Sequence, residues 1–168
     1  RSTGEVLGLS QFYGEAFFKA QEATQTKLPH GGTVLITVNN KDKEEMIEVA
    51  RDLKQAGFKI LATKGTQKAL ADADIVSEFV YKLNEGRPNI IDFMTNGKID
   101  LLINTPASAS EHIDDSDLRK TAIKKKVPYI TTIAAAKATA DGIKSMLLPG
   151  CGVVKSLQEL HAEITDKE

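Results

Sequence analysis

The chain has 168 residues, 41% of them hydrophobic, and its 22 Lys and Arg residues nearly balance 23 Asp and Glu residues, giving a formal net charge of −1. This length is enough to bury one substantial core with a peripheral extension, and the near-neutral charge argues against nucleic acid as the main partner. No apolar run is long enough to cross a bilayer or to serve as a signal sequence, so we expect a cytoplasmic protein with no membrane partner.

Cysteine and histidine usage narrows the chemistry further. The single cysteine, Cys151, cannot form an internal disulfide, which is compatible with a reducing compartment. The three histidines are far apart in the sequence and lack the spacing of a ligand set, so we expect no metal site. The chain begins with Arg1 rather than Met, which suggests a piece of a longer polypeptide.

The first predicted element is a helix over residues 11–24, with Phe12, Ala16, Phe17 and Ala20 spaced along one face. Two further aromatic residues widen this face. Two interpretations stay open: the face packs against the core, or it is an exposed docking surface for a neighbouring part of a larger protein. A linker rich in proline and glycine follows.

From Thr33 onward, short apolar runs alternate with amphipathic segments. This alternation predicts an α/β fold, a three-layer sandwich in which helices cover both faces of a five-stranded, mainly parallel sheet. The predicted strands or extended runs are 33–38, 58–63, 75–81, 99–104 and 128–131. The predicted helices are 42–56, 66–73, 89–95, 116–126, 133–146 and, with a capping box at its start, 156–164.

The junction between the second strand and the next helix has the composition of a phosphate-binding loop. An apolar strand ends in Thr63, Lys64, Gly65 and Thr66. At this junction the free N–H groups of a helix N-terminus would favour an anion, and the threonines would add hydroxyl donors. The motif alone is weak, because Thr66 could equally cap the helix while Lys64 is solvated.

Other polar residues follow neighbouring strands. Asp42 is the natural N-cap of the next helix, which places Lys43 in a first turn where its charge opposes the helix dipole unless an anion is bound. Asn104 and Thr105 end the fourth run, and Lys82 ends the extended run before it. Because ligands of parallel α/β sheets gather at the carboxyl ends of the strands, where strand order reverses, we expect these groups to form one site.

Eight short motifs give the chain a resemblance to a known family. In their order and spacing they resemble the carboxyl-terminal allosteric domain of the carbamoyl-phosphate synthase large chain, a methylglyoxal-synthase-like domain, over essentially the full sequence. The motifs are STGEV at 2–6, EAFxKAQ at 15–21, DK at 42–43, ATxGT at 62–66, EGRP at 85–88, INT at 103–105, a DSxxRK-like stretch around 114–120 and YxTT at 129–132.

The resemblance implies a function for each part of the chain. Residues 1–31 would be a connector with a helix from the preceding synthetase region, and 32–168 the regulatory domain with its C-terminal helix. The domain would bind UMP or IMP as effector and border the ornithine site, without catalytic residues or cofactors of its own. The parent chain would be an ATP-dependent ligase using Mg or Mn, partnered by a glutaminase small chain, in arginine and pyrimidine biosynthesis.

The resemblance also assigns individual residues. The positions that match contacts to the nucleotide phosphate and sugar are Lys43, Thr63, Thr66, Lys82 and Asn104. Asp114 matches a position near the ribose and base, and Thr131 matches the ornithine border. One departure is Pro106, where the better-known bacterial pattern has a second threonine. Since proline offers neither hydroxyl nor N–H, nucleotide affinity or preference is expected to differ.

Two alternatives remain. A methylglyoxal-synthase-type phosphate lyase would need a carboxylate beside the phosphate cradle to move protons. The loop where that family keeps its catalytic aspartate has none here, and Glu85 and Asp92 have ready structural roles, as a loop anchor and a first-turn helix residue. The second alternative is a ligand-free domain that mediates oligomerisation, for which the aromatic N-terminal segment is the best support.

Overall fold

The computed structural model describes residues 4–24, 27–106, 112–149, 151–153 and 155–165. It contains a five-stranded sheet in the order β3-β2-β1-β4-β5, and all four strand pairings are parallel. The strands are β1 (Thr33–Val38), β2 (Lys59–Ala62), β3 (Glu78–Phe79), β4 (Leu101–Thr105) and β5 (Tyr129–Ile130). The predicted α/β class and the parallel sheet are therefore confirmed.

Helices lie between the strands and at both ends of the described chain. They are α1 (Tyr13–Glu22), α2 (Lys43–Gln55), α3 (Lys64–Ala71), α4 (Ile90–Thr95), α5 (His112–Lys125), α6 (Ile133–Met146) and α7 (Leu157–Thr165). A short 3₁₀ turn, Asn40–Asp42, precedes α2. No helix among the described residues is both long and apolar enough to cross a membrane.

The two faces of the sheet bury separate apolar clusters. Alternate residues of β1 point to opposite sides, as a pleated strand requires. Val34 and Ile36 join α1, α2, α3 and α6 in one cluster, whereas Leu35 joins α4 and α5 in the other. The strands are consequently buried on both sides, and the molecule has the three layers that the alternating sequence pattern predicts.

Helix α1 packs closely against α6. A Cβ atom on Gly14 would lie 2.8 Å from the backbone of Asp141, and a Cβ on Gly142 would lie 2.9 Å from the carbonyl oxygen of Gly14. The two backbones touch because both crossing points are glycine. Phe18 of α1 is 1% exposed and belongs to the main cluster. The division of the chain after residue 31 stays a prediction.

The orientation of α1 differs from the predicted apolar face. Phe18 and Glu15 point inward, whereas Phe12 is 67% exposed and Tyr13 is 71% exposed. Glu15 is buried because it accepts hydrogen bonds from the Ser10 hydroxyl, at 2.6 Å, and the Gly152 N–H, at 3.0 Å, and pairs with Lys19. These partners hold its pKa down at about 2.

Most element boundaries differ from the prediction by one or two residues, and the differences in the extended run 75–81, α3 and α5 are the most informative. The extended run 75–81 contributes only Glu78–Phe79 to the sheet, because it lies at the edge next to β2. Helix α3 begins two residues earlier than predicted, and α5 begins at His112 rather than at residue 116. The terminal capping box is confirmed: the Ser156 hydroxyl accepts from the Glu159 N–H at 3.2 Å, and Glu159 accepts from the Ser156 N–H at 2.6 Å.

Candidate functional site

A cavity of about 300 Å³ lies at the carboxyl ends of β1, β2 and β4. Strand order reverses at β1, since the chain runs outward from it through β2 on one side and later reaches β4 on the other. In the ladder between β1 and β4, Thr37 pairs with Asn104 and Val38 with Thr105. This is the switch point at which open parallel sheets place their ligands.

Six of the sequence-predicted site residues line this one cavity: Lys43, Thr63, Thr66, Lys82, Asn104 and Thr105. They come from four separate segments of the chain, so their proximity depends on the whole sheet. The predicted convergence of polar strand ends is therefore observed. Their roles toward a ligand remain predictions.

One end of the cavity offers hydrogen-bond donors and positive charge. The α3 N-cap, Thr63, makes no capping bond with its side chain, and the first backbone bond of the helix runs from the Gln67 N–H to the Thr63 carbonyl. The N–H groups of the first turn therefore lack intrahelical partners. Lys43 brings its Nζ to 3.1 Å from the position of a Cβ on Gly65, directly beside this turn.

Two threonines have their hydroxyl groups fixed by the fold. The Thr63 hydroxyl donates to Thr37 Oγ1 at 3.0 Å, which frees the Thr37 hydroxyl hydrogen for another acceptor. Thr66 Oγ1 accepts from the Val38 N–H at 3.2 Å, and its own hydrogen is likewise available. Both side chains are almost completely buried, so each bond has little competition from solvent.

A second polar group in the cavity is built around Asp115, next to the end of β4. Its Oδ1 accepts from Asn104 Nδ2 at 2.8 Å and from the Tyr129 hydroxyl, and Asn104 Nδ2 also donates to the Tyr129 oxygen at 2.7 Å. Arg119 adds an ion pair at 3.8 Å. Burial and the bond to Asp115 raise the pKa of Tyr129 to about 12, so its hydroxyl stays protonated and donates.

Sequence reasoning missed Thr37, Asn39 and Asp115, which line the cavity, and Tyr129, which bonds to two of the lining residues. Thr37 has a detectable signal, as a polar residue inside an otherwise apolar strand. Asn39 caps the 3₁₀ turn before α2, accepting from the N–H groups of Lys41 and Asp42. Asp42 is the N-cap of α2 by position, as predicted, but its side chain makes no capping bond.

The remaining predicted positions lie elsewhere or outside the described part. The side chain of Asp114 falls outside what the structure describes. Thr131 follows β5 and is not among the residues that line the cavity, while Pro106 does line it. Among the described residues, no group of three His, Cys, Asp or Glu side chains is placed to hold a metal ion.

The two carboxylates weighed as lyase bases have the structural roles expected of them. Asp92 accepts from the Asn89 N–H at 2.9 Å and completes the capping box of α4. Glu85 accepts from the Lys82 N–H at 3.4 Å within its own loop. Neither lines the cavity, whose described carboxylate is Asp115.

The comparison with known families decides the assignment. The family model described as MGS-like domain matches residues 45–131, just over half of the chain. The chain belongs to this family. The matched segment includes α3 and β4, which contribute Thr66, Asn104 and Thr105 to the cavity, whereas Lys43 lies before its first residue.

Three relatives that align with nearly the whole chain are named after the same protein. The carbamoyl phosphate synthase large chain of Methanosarcina mazei is 42% identical over 100% of this chain, and that of Acidobacterium capsulatum is 44% identical over 96%. A protein from Methanopyrus kandleri, named the C-terminal section of that large chain, is 43% identical over 96%. The resemblance predicted from the motifs is therefore confirmed.

This chain spans a small share of those relatives. It covers 16% of the M. mazei protein, 15% of the A. capsulatum protein and 30% of the M. kandleri protein. Among solved structures, the crystal structure of ForH matches with a TM-score of 0.47 and 19% identity, over 70% of this chain and 80% of that one. That likeness is too remote to inform function.

Proposed function

We propose that this chain is the allosteric effector-binding domain of the large chain of carbamoyl phosphate synthase, and that the cavity binds a nucleoside monophosphate such as UMP or IMP. The observation that carries the proposal is the chemistry of the α3 end, where Lys43, the first-turn N–H groups and the Thr66 hydroxyl surround one space. Helix N-termini with adjacent lysines suit a phosphate monoester.

The size and polarity of the cavity support a whole nucleotide rather than phosphate alone. Its volume of about 300 Å³ is at the lower end of the range for small-molecule sites. Apolar side chains of Leu83, Ile90 and Leu118 line it together with the polar groups, which provides a surface for the sugar and base. Lys82 lines the same cavity as Lys43, so the lining contains a second basic residue.

In the whole enzyme, effector binding would act through differential affinity for two states of the synthetase, since a ligand shifts an equilibrium only by that difference. The names of the relatives support a parent ligase. We propose that the parent uses ATP with Mg or Mn, works with a glutaminase small chain in the cytoplasm and serves arginine and pyrimidine biosynthesis. Thr131 would face the ornithine site at the border with the rest of the large chain.

Titration calorimetry with UMP, IMP and inorganic phosphate tests the proposal on the 168-residue chain. We expect binding by the unaltered chain, and about tenfold or greater weakening in Lys43→Ala, because charge-assisted hydrogen bonds contribute about 1.5–3 kcal/mol. Lys68→Ala is the matched control, since Lys68 is exposed on the same α3 and does not line the cavity. Absence of heats with all three ligands would instead support a ligand-free oligomerisation domain.

The lyase alternative receives no support from the cavity. Asp115 lines the cavity, but its Oδ1 is held by Asn104 and Tyr129. A base that moves protons next to a bound phosphate would have to reach the substrate carbon from the phosphate end. The described side chains that surround that end are lysine, threonine and asparagine.

A further inference from the structure

A second cavity adjoins the N-terminus of α3. It is an open groove of about 880 Å³, lined by α3, by residues 74–77 and by the loop after β3, and it is called the α3 groove below. Gly65 and Lys82 line both the α3 groove and the cavity at the carboxyl ends of the strands. The two spaces therefore meet at a flexible lysine and at a residue whose lack of a side chain lets a ligand approach the backbone closely.

The α3 groove carries positive charge. Its lining contains Lys64, Lys68 and Lys82, together with the carboxylates of Asp74 and Glu85. Lys64 and Lys68 are four residues apart on α3, which places them on the same side of the helix. Within the described part of the chain, neither of these two lysines forms an ion pair, even with the carboxylates of the same groove. Their charges are therefore available to a bound anion.

Two further observations favour an anion in the α3 groove. Lys64 is the first residue of α3, and the first turn contains no acidic residue, so its charge opposes the dipole of its own helix. Among the described residues, Ser77 Oγ is the one buried side-chain polar atom without a hydrogen-bond partner, and Ser77 lines this groove. Buried polar atoms nearly always have a partner in native proteins. A phosphate in the groove would give this hydroxyl an acceptor after a rotation of the serine side chain.

We propose that the α3 groove is a subsite for a second phosphate, so that the site accepts ligands with two linked phosphates, such as a nucleoside diphosphate or pyrophosphate. The first phosphate lies at the N–H groups of the first turn of α3, and the second passes Gly65 to reach Lys64 and Lys68. The inference rests on the proposed nucleotide site and specifies its ligand class.

Lys68 distinguishes the two phosphate positions. It lines the α3 groove but not the cavity at the strand ends, and it lies one turn beyond Lys64. A ligand with a single phosphate, held at the start of α3, leaves Lys68 in solvent, whereas a second phosphate gains its charge. Because Lys68 is exposed, we expect this gain to decrease as the salt concentration rises.

The test is calorimetry in magnesium-free buffer, comparing inorganic phosphate with pyrophosphate and UMP with UDP. In the unaltered chain we expect each diphosphate to bind about tenfold more tightly than the matching monophosphate, because it adds charge-assisted contacts to lysine. In Lys68→Ala we expect this ratio to fall to about threefold or less, with the affinities for phosphate and UMP changed by less than about twofold. Lys54→Ala is the matched control, because Lys54 is exposed on α2 and lines neither space.

Two results would overturn the inference and leave the proposed function intact. One is equal or weaker binding of pyrophosphate and UDP by a chain that binds phosphate and UMP. The other is a tenfold ratio that survives in Lys68→Ala, because the second phosphate would then lie elsewhere. Failure to bind UMP would instead overturn the proposed function, and pyrophosphate binding that depends on Lys68 would still support the α3 groove as a diphosphate site. If Lys68→Ala does not fold, Lys68→Gln decides in the same way, since it removes the charge and keeps most of the side chain.

Discussion

The ammonium group of Lys43 lies 3.1 Å from the point where a Cβ atom on Gly65 would be. Lys43 is the first residue of α2, and Gly65 is the second residue of α3. A lysine at a helix N-terminus opposes the dipole of its own helix. Because Gly65 has no side chain, the Lys43 ammonium also approaches the N-terminus of α3. The positive ends of both helices then lie near this charge, which is unfavourable unless an anion binds between them.

Gly65→Ala separates the effect on stability from the effect on binding. The new methyl group would displace the end of a flexible lysine, which costs little, while alanine in a helix is favoured over glycine by about 0.5–1 kcal/mol. We expect unchanged or slightly higher stability in urea, together with phosphate binding weakened by about threefold or more because Lys43 is pushed away. Gly31→Ala is the control, since nothing lies within 4 Å of a Cβ at Gly31. Tighter binding in Gly65→Ala would contradict this account.

Thr66→Val probes the hydroxyl that accepts from the Val38 N–H at 3.2 Å. We expect the free energy of unfolding, measured in urea, to be about 1–2 kcal/mol lower in the variant, because the part-buried N–H at Val38 loses its acceptor. Nucleotide affinity should fall too. Thr66→Ser keeps the hydroxyl, so its loss of stability should be less than about half of the loss in Thr66→Val. Equal stability of the valine variant and the unaltered chain would show that Val38 does not depend on this bond.

Glu15→Gln tests the buried carboxylate of α1. The pKa of Glu15 is lowered to about 2, so its stabilising contribution is complete above its ordinary value near 4.5 and is lost as the pH falls through that interval toward 2. At pH 6 we expect the variant to be less stable by about 1–2 kcal/mol, from the loss of hydrogen bonds to a charged group. The difference should shrink steadily as urea unfolding is repeated at pH 4 and pH 3.

The control for Glu15 is Glu22→Gln on the same helix. The pair of Glu22 with Lys27 is 3.7 Å long and its carboxylate side chain is 37% exposed. Exposed pairs contribute about 0–1 kcal/mol, so this variant should differ little from the unaltered chain at any of these pH values. A constant difference between Glu15→Gln and the unaltered chain from pH 6 to pH 3 would refute the assigned partners.

Pro106→Thr restores the residue of the better-known bacterial pattern. Pro106 lines the cavity directly after Thr105, and threonine would supply an N–H and a hydroxyl that proline lacks. We expect UMP and inorganic phosphate to bind about threefold to tenfold more tightly in calorimetry, as one added hydrogen bond would give. Pro106→Ala adds the N–H without the hydroxyl, so its increase in affinity should be smaller than that of Pro106→Thr. Weaker binding in both variants would mean that proline shapes the loop favourably.

Most of the fold follows from local patterns. β1 and α6 have the predicted bounds because each is a clear run with the right period and clear polar ends. The predicted apolar face of α1 is confirmed at Phe17, which packs against the main cluster, but not at Phe12, which is 67% exposed. Aromatic residues are so frequent in this helix that the sequence alone does not fix which of them point inward. Only packing against α6 at Gly14 selects the phase with Phe18 inside.

The site was predictable where residues end a strand, and less so where a helix supplies them. Thr63 and Asn104 follow from strand order and the position of the carboxyl edge, and Lys43 follows from its place in the first turn of the helix after β1. Asp114 and Asp115 are neighbours on α5, about 100° apart around the helix, so choosing between them requires the helix's rotation against the sheet. Tyr129 bonds through its hydroxyl to Asn104 and Asp115, although its position in β5 alone indicates a packed side chain.

The central position of β1 has a consequence for how the protein can be shortened. β1 supplies Thr37 and hydrogen-bonds both β2 and β4, yet it lies before residue 45, where the family match begins. A polypeptide trimmed to the matched boundaries would leave two half-sheets with facing unpaired edges. Such edges invite intermolecular pairing, so the trimmed version should precipitate rather than yield a smaller working receptor.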